Sequence, residues 1–142
     1  MKSSNWEECV NANSSVKISL DKFKARSLLD TANGRNKYLE EQEIKESSAN
    51  YIFEAYYTSA LEIMHALLLL NEYKVTNHIC LGYYLRDVVN REDLFRLFDD
   101  CRFKRNSLIY YGRKMEFSVA KDAVKKSKLL IKELTSLVKI EE

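Results

Sequence analysis

The chain has 142 residues, 46% of them hydrophobic and 31% charged, which is sufficient for one globular domain with a buried core and excludes a disordered chain. It contains no proline and only three glycines, and because strands joined by turns draw on both residues, this composition argues against an all-β fold and favours helices. The formal net charge is +2, but residues 102–132 hold ten basic and two acidic side chains, so this segment is either a surface for a polyanion or a solvated helix face.

The N-terminal residues and the cysteines bear on localisation. Two consecutive glutamates lie where a signal peptide would be apolar, and the longest apolar run, at residues 66–70, is too short to cross a bilayer. Cys9, Cys80 and Cys101 are odd in number, widely spaced and without a CxxC pair, which favours unpaired thiols in a reducing compartment over a disulfide scaffold or a zinc site. We therefore predict a cytoplasmic protein without a membrane segment.

The first part of the chain divides into an arm and the start of a helical domain. Residues 1–15 are polar and rich in Asn and Ser, which predicts a flexible N-terminal arm. Residues 16–142 are predicted to form a single domain. Across residues 19–44 apolar side chains recur every three to five positions, which indicates a long first helix capped by Ser19 or Asp21.

The middle of the chain contains the most apolar helix. The Asn33-Gly34 pair has no alternating runs beside it, so we interpret it as a weak point within the first helix, with a break there as the alternative. Residues 46–50 form the first clear connection. The helix predicted over residues 51–71 is apolar around most of its circumference, which is typical of a central element. After a turn, Thr76 or Asn77 can begin a short third helix.

Two long helices complete the predicted fold. The first covers residues 91–110 and is followed by Gly112, which is placed to end it as a C-terminal cap. The second covers residues 117–140 and carries lysines on its outer side. Four main helices and one short helix joined by short links predict an all-α, antiparallel (up-and-down) helical bundle.

Most familiar catalytic or metal-binding patterns are missing. Glu62 and His65 form one Glu-x-x-His pair, with Glu54 eight positions earlier, whereas a di-iron bundle requires that pair twice. Three scattered glycines cannot form a phosphate-binding loop. His78 follows a turn at a helix start, where a histidine is usually structural. We predict neither a bound metal nor a cofactor.

The stretch FKRNSLIYYG, residues 103–112, is the one unusual feature. Arg105 lies on the same stripe as the apolar residues of its helix, so it must reach solvent, pair with an acid or bind an anion. Asn106 and Tyr110 are four residues apart and share one helix face. Arg105 and Tyr110 are five apart, and we expect them to converge only if the helix ends or bends near Gly112.

The order of these elements resembles the HEPN family (higher eukaryotes and prokaryotes nucleotide-binding) over roughly residues 19–137. The resemblance is carried by a long first helix, an apolar helix with an aromatic start (NYIFEAYYTSALEIMHALLLL), a short helix after a turn (VTNHICLGYYL), and a helix ending in RNSLIYYG. Members of the family end that last helix in Arg, a polar residue, a short spacer and His. The resemblance implies a dimer in which two such motifs share one electropositive cleft. Active members are metal-independent ribonucleases, several of them toxins paired with a small nucleotidyltransferase antitoxin.

The motif departs from the family at one position. Carried over by position, Arg105 matches the motif arginine and Asn106 its polar neighbour, whereas the histidine falls at Tyr110 or Tyr111. An imidazole exchanges protons near pH 7, but a tyrosine with a pKa of about 10 rarely does. The arginine can still hold a phosphate and the tyrosines can stack on a base.

We therefore predict a HEPN-like homodimer that binds RNA or a nucleotide at a composite, arginine-lined cleft, with ribonuclease activity weak or lost. Any catalysis would involve Arg105 and Tyr110. The predicted binding residues are Arg102, Lys104, Arg105, Asn106, Tyr110 and Tyr111. Two alternatives stay open: a non-catalytic subunit that docks a small nucleotidyltransferase, and an Arg105 that only anchors the dimer through Asp99 or Glu54.

Overall fold

The computed structural model describes residues 2–139, and this range is mostly helical. The elements in chain order are α1 (Trp6–Asn11), β1 (Ser15–Lys17), α2 (Lys22–Glu40), α3 (Ala49–Leu70), β2 (Tyr73–Val75), α4 (His78–Asp87), α5 (Glu92–Tyr111) and α6 (Phe117–Leu137). The prediction of a mainly helical fold is confirmed. No strand was predicted, yet β1 and β2 pair antiparallel, with Ser15 opposite Val75, in a small two-stranded sheet.

Local sequence signals account for several helix ends. The side chain of Asp21 accepts a hydrogen bond from the backbone N–H of Lys24 (2.9 Å), and α2 then runs through Gly34 without a break, as predicted. Asn77 caps α4 in the same way. Gly112 has a φ of 61°, in the left-handed region that favours glycine, and ends α5. The last helix ends at Leu137, where Val138 turns to an extended backbone, and so it stops short of the predicted end at residue 140, a position outside the described residues.

Helix α3 is the central element of the core. It packs against α2 on one side and α6 on another, and it also contacts α5 and β2. Its fully buried side chains include Phe53, Tyr57, Ile63, Met64 and Leu68. Helix α4 packs on α5 and α1, and α5 packs on α6. This arrangement holds the start of α4 beside the second half of α5, where the predicted site residues lie.

The N-terminal residues correct the prediction of a flexible arm at residues 1–15. Trp6 is buried, and its ring meets the rings of Tyr73 and Tyr84 edge-on, with centroid distances of 5.1 and 5.0 Å. Cys9 is fully buried and forms a disulfide with Cys80 of α4. The burial of one large aromatic ring and a covalent link hold this polar segment against the fold.

The same disulfide corrects the prediction of three unpaired thiols. Cys9 and Cys80 are 71 residues apart in the sequence, so their spacing gave no sign of the pair. Cys101 is the free, buried cysteine of the described range. The argument from unpaired thiols for a reducing compartment no longer applies. Between residues 2 and 139, no helix has the length and apolar character needed to span a membrane.

Candidate functional site

The second half of α5 presents three of the predicted site residues along one face. Arg102, Asn106 and Tyr110 are four residues apart, so they follow one another at about one helical turn. Together with the residues that begin α4 they line an open depression of about 390 Å³, which we call the α4–α5 groove. Its lining residues are Thr76, Asn77, His78, Ile79, Arg102, Asn106 and Tyr110.

Arg105 lies beside this groove and contacts two tyrosines. Its guanidinium carbon is 5.7 Å from the ring centroid of Tyr57 and 5.9 Å from that of Tyr110. Both distances are within the range of a cation–π interaction. Arg105 and Tyr110 converge at the last turn of α5, where both side chains are long enough to meet. The helix ends one residue after Tyr110, at Tyr111, with Gly112 as its cap, so the expectation that the two side chains meet near a helix end is confirmed.

Neither Asp99 nor Glu54, the two acids considered as partners of Arg105, forms an ion pair with it. Asp99 forms an ion pair with Arg102, at 2.9 Å between the carboxylate and a guanidinium nitrogen. Among residues 2–139, neither Glu54 nor any other acid forms an ion pair with Arg105. Its partly buried charge is instead stabilised by aromatic faces, so the capacity of its N–H groups to bind an anion is not taken by a carboxylate.

Tyr57 connects Arg105 to α4. Its ring stacks on Phe98 with a centroid distance of 6.1 Å and lies 6.4 Å from the ring of His78. Burial raises the pKa of Tyr57, an effect that the positive charges of Arg105 and Arg102 only partly offset, so the phenol stays neutral. The uncharged ring of Tyr57 is therefore a neighbour of both the guanidinium of Arg105 and the imidazole of His78.

His78 is the groove residue that was interpreted as structural from the sequence. It is partly buried, and burial together with the nearby charges of Arg105 and Arg102 lowers its pKa below the ordinary value of 6.5. The imidazole is therefore neutral at pH 7. Nothing in the sequence connects His78 with Arg102, since the two belong to different helices and meet only because α4 packs on α5.

Two of the predicted binding residues lie outside the groove. The Lys104 ammonium is 2.8 Å from a carboxylate oxygen of Asp100, which also faces Lys126 of α6 at 3.8 Å, so Lys104 lies on the side of α5 that faces α6. Tyr111 is exposed, with the guanidinium of Arg113 6.0 Å from its ring centroid. The structure thus groups Arg102, Asn106 and Tyr110 but not Lys104 and Tyr111.

The basic residues of α6 do not extend the groove. Lys126 is paired with Asp122 on its own helix at 3.1 Å. Lys128 and Lys132 line a different depression, and the ammonium of Lys128 is 5.9 Å from the ring of Tyr56 on α3. The positive charge near the groove comes from α5, and the lysines of α6 are distributed over other surfaces.

The groove continues along α4 into a second depression of about 450 Å³. Both depressions share Asn77, Ile79 and Arg102. In the second one the guanidinium of Arg86 lies 4.7 Å from the ring centroid of Tyr83 and also contacts a phenylalanine ring of α5. The α4–α5 surface therefore combines cations and aromatic rings over more than one depression.

Glu62 and His65, the Glu-x-x-His pair, have other surroundings in the fold. Glu62 forms an ion pair with Arg35 of α2, and His65 lines a separate cavity with Lys24. In the part of the chain that the structure describes, no group of three or more His, Cys, Asp or Glu side chains could hold a metal ion.

Comparison of the chain with models of protein families, with curated proteins and with solved structures finds no match. The likeness to the HEPN family therefore rests on the order of the helices and on the stretch RNSLIYYG.

Proposed function

We propose that the α4–α5 groove binds the phosphate groups and bases of RNA or of a nucleotide, and that the protein acts as a HEPN-like homodimer. The observation that supports this proposal best is the grouping of Arg102, Asn106, Tyr110 and His78 around one open depression, with Arg105 held directly beside it. Of these residues, Arg105, Asn106 and Tyr110 belong to the motif that the resemblance assigns to the cleft.

Each side chain has a role in this proposal. Arg105 holds a phosphate oxygen with N–H groups that no acid of residues 2–139 occupies, and Arg102 contributes a second positive charge. Asn106 can donate to a phosphate or read a base edge with its amide. The ring of Tyr110 is 68% exposed and offers a flat face on which a base can stack.

The fold that we propose to carry this groove is the antiparallel bundle formed by α2, α3, α5 and α6, with a second copy of the chain packed on the end of α5. That end exposes large apolar side chains: Phe103 is 69%, Tyr110 68% and Tyr111 72% exposed. Phe103 and Tyr110 are seven residues apart and so lie on the same face of the helix. Covering Phe103 and Tyr111 would remove apolar surface from water and bring two grooves together, and it would leave the ring of Tyr110 for the base.

Sedimentation tests the dimer. The wild-type chain should sediment as a dimer at micromolar concentration, and Phe103→Glu should sediment as a monomer because it introduces an unpaired charge into the contact. A wild-type monomer at that concentration would count against the composite cleft.

Fluorescence anisotropy with a labelled single-stranded RNA tests the groove. Loss of one charged phosphate contact in Arg105→Ala or Arg102→Ala should weaken binding by about tenfold. It should also reduce the slope of log affinity against log salt by about 1.

Arg96→Ala is the matched control for these variants. Arg96 is on the same helix, nine residues before Arg105 and therefore about 180° around the axis, and its side chain pairs with Glu92 of its own helix. The variant removes the same charge from the protein and should bind RNA as the wild type does. Equal affinity in all four proteins, or binding that does not respond to salt, would refute the proposal.

A further inference from the structure

The imidazole of His78 and the guanidinium of Arg105 both lie beside the ring of Tyr57. The ring centroid of Tyr57 is 6.4 Å from that of His78 and 5.7 Å from the guanidinium carbon of Arg105. His78 also lines the groove together with Arg102 and Asn106. A phosphodiester held by the two arginines would therefore lie next to the imidazole.

We propose that His78 is the proton-transfer residue of this groove and that it enables the protein to cleave the single-stranded RNA that it binds. This inference rests on the function proposed above. It assigns the reaction to a histidine of α4, outside the stretch RNSLIYYG on which the resemblance depends.

The charges around His78 suit a general base. From α5, Arg102 and Arg105 face it, and from α3, Tyr57 and His65 do. Burial and the two guanidiniums lower the pKa of His78, while Tyr57 stays neutral and His65 has a pKa that is itself lowered by burial. Within residues 2–139 no acid forms an ion pair with His78 to hold it protonated. The imidazole is therefore neutral at pH 7, which is the form that a general base requires.

The reaction that follows is an internal transfer. A nitrogen of neutral His78 takes the proton of a ribose 2′-hydroxyl, and the 2′-oxygen forms a bond to the adjacent phosphorus. The bond between phosphorus and the 5′-oxygen of the next nucleotide breaks, and that oxygen takes a proton from water. The products are a 2′,3′-cyclic phosphate and a 5′-hydroxyl, and the imidazolium returns its proton to solvent. Arg102 and Arg105 stabilise the charge that develops on the phosphate oxygens.

Binding and cleavage can be measured separately with two RNA probes of the same sequence. An oligonucleotide methylated at every 2′-hydroxyl reports binding only, since it lacks the attacking group. The unmodified oligonucleotide reports cleavage, with the cyclic phosphate identified by mass spectrometry. Wild type, His78→Gln, His65→Gln and Arg105→Ala are purified by the same procedure, so that a contaminating nuclease would appear equally in all four.

The wild type should bind the methylated probe and cleave the unmodified one. His78→Gln should bind within about twofold of wild type but cleave at least about 100-fold more slowly, which is the usual effect of losing a general base. His65→Gln removes the other histidine, which faces His78 but lines a separate cavity away from the RNA, and should cleave within about threefold of the wild-type rate because it removes no group that takes the proton. The wild-type rate should rise with pH to a plateau, and this rise should be absent in His78→Gln.

Imidazole rescue covers the case in which His78→Gln fails to fold. The smaller variant His78→Ala, checked by circular dichroism, should regain cleavage when imidazole is added. Wild type that binds the methylated probe but does not cleave, or equal cleavage by wild type and His78→Gln, overturns the assignment of His78 and leaves the proposed binding function standing. Failure to bind either probe overturns both.

Discussion

The disulfide between Cys9 and Cys80 allows a quantitative prediction. It joins α1 to α4 across 71 residues of sequence, and both cysteines are fully buried. On the loop-closure estimate, a cross-link over a loop of this length lowers the entropy of the unfolded chain enough to stabilise the fold by about 4 kcal/mol. Reduction, or the double substitution Cys9→Ala/Cys80→Ala, should lower the free energy of unfolding by up to this amount.

Urea denaturation followed by two signals measures the loss. Circular dichroism reports the helices as a whole. Fluorescence reports α1, because Trp6 is the single tryptophan of the chain and is packed between Tyr73 and Tyr84. Without the cross-link, we expect the fluorescence transition to move to lower urea at least as far as the dichroism transition, since α1 has only six residues and few contacts of its own.

The double variant provides its own control. Reductant should destabilise the wild type but leave Cys9→Ala/Cys80→Ala unchanged. Thiol titration of the unfolded, non-reduced wild type should find one reactive thiol, that of Cys101. Three reactive thiols, or equal stability with and without reductant, would show that the cross-link does not form or does not constrain the unfolded chain.

Three further predictions follow from the backbone, a buried amide and the histidines. Gly112→Ala places a Cβ at a φ of 61° and should destabilise the protein by about 1 kcal/mol. Gly34→Ala, in the middle of α2 with open space around it, should instead stabilise the protein by about 0.5–1 kcal/mol. Thermal unfolding measures both changes, and a lower melting temperature for both variants would contradict the argument. Asn50→Ala removes two hydrogen bonds to the backbone of Met115, in the α5–α6 connection, at 2.8 and 3.0 Å. It should lower the free energy of unfolding by about 2 kcal/mol, and an unchanged midpoint of urea denaturation would refute this reasoning. Burial lowers the folded-state pKa values of His65 and His78 from 6.5, so the unfolded state binds more protons below that pH. The free energy of unfolding should therefore be constant above pH 6.5 and fall as the pH drops from 6.5 towards the folded-state values, with a smaller fall in either His→Gln variant. A free energy of unfolding that does not change over this window would count against the burial of both rings.

Local sequence patterns predicted the long helices well because their causes lie within a few residues of one another. The apolar spacing of α3 follows from the helical repeat, and the cap at Asp21 needs only the N–H of Lys24. Gly112 ends α5 because only glycine adopts its backbone conformation without strain. The alignment of Arg102, Asn106 and Tyr110 along one face is a property of the same kind, since a spacing of four residues decides it.

The N-terminal segment shows where such patterns fail. Its polar composition suggested an arm, but a single buried ring and one cysteine are enough to hold it. The strand β1 has three residues and becomes a strand only because β2 lies beside it. Neither contact leaves a periodic signal in the sequence.

By itself, the sequence determined the helical class of this protein, the start of α2 at Asp21, the end of α5 at Gly112, and the row of polar side chains on α5, since each depends on the geometry of one helix. Only the tertiary structure decided that His78 lies on the same tyrosine ring as Arg105, that Lys104 is turned towards α6, and that Cys9 meets Cys80. The physical reason is that these contacts join elements far apart in the chain, and the packing of α4 on α5 and of α1 on α4 brings them together.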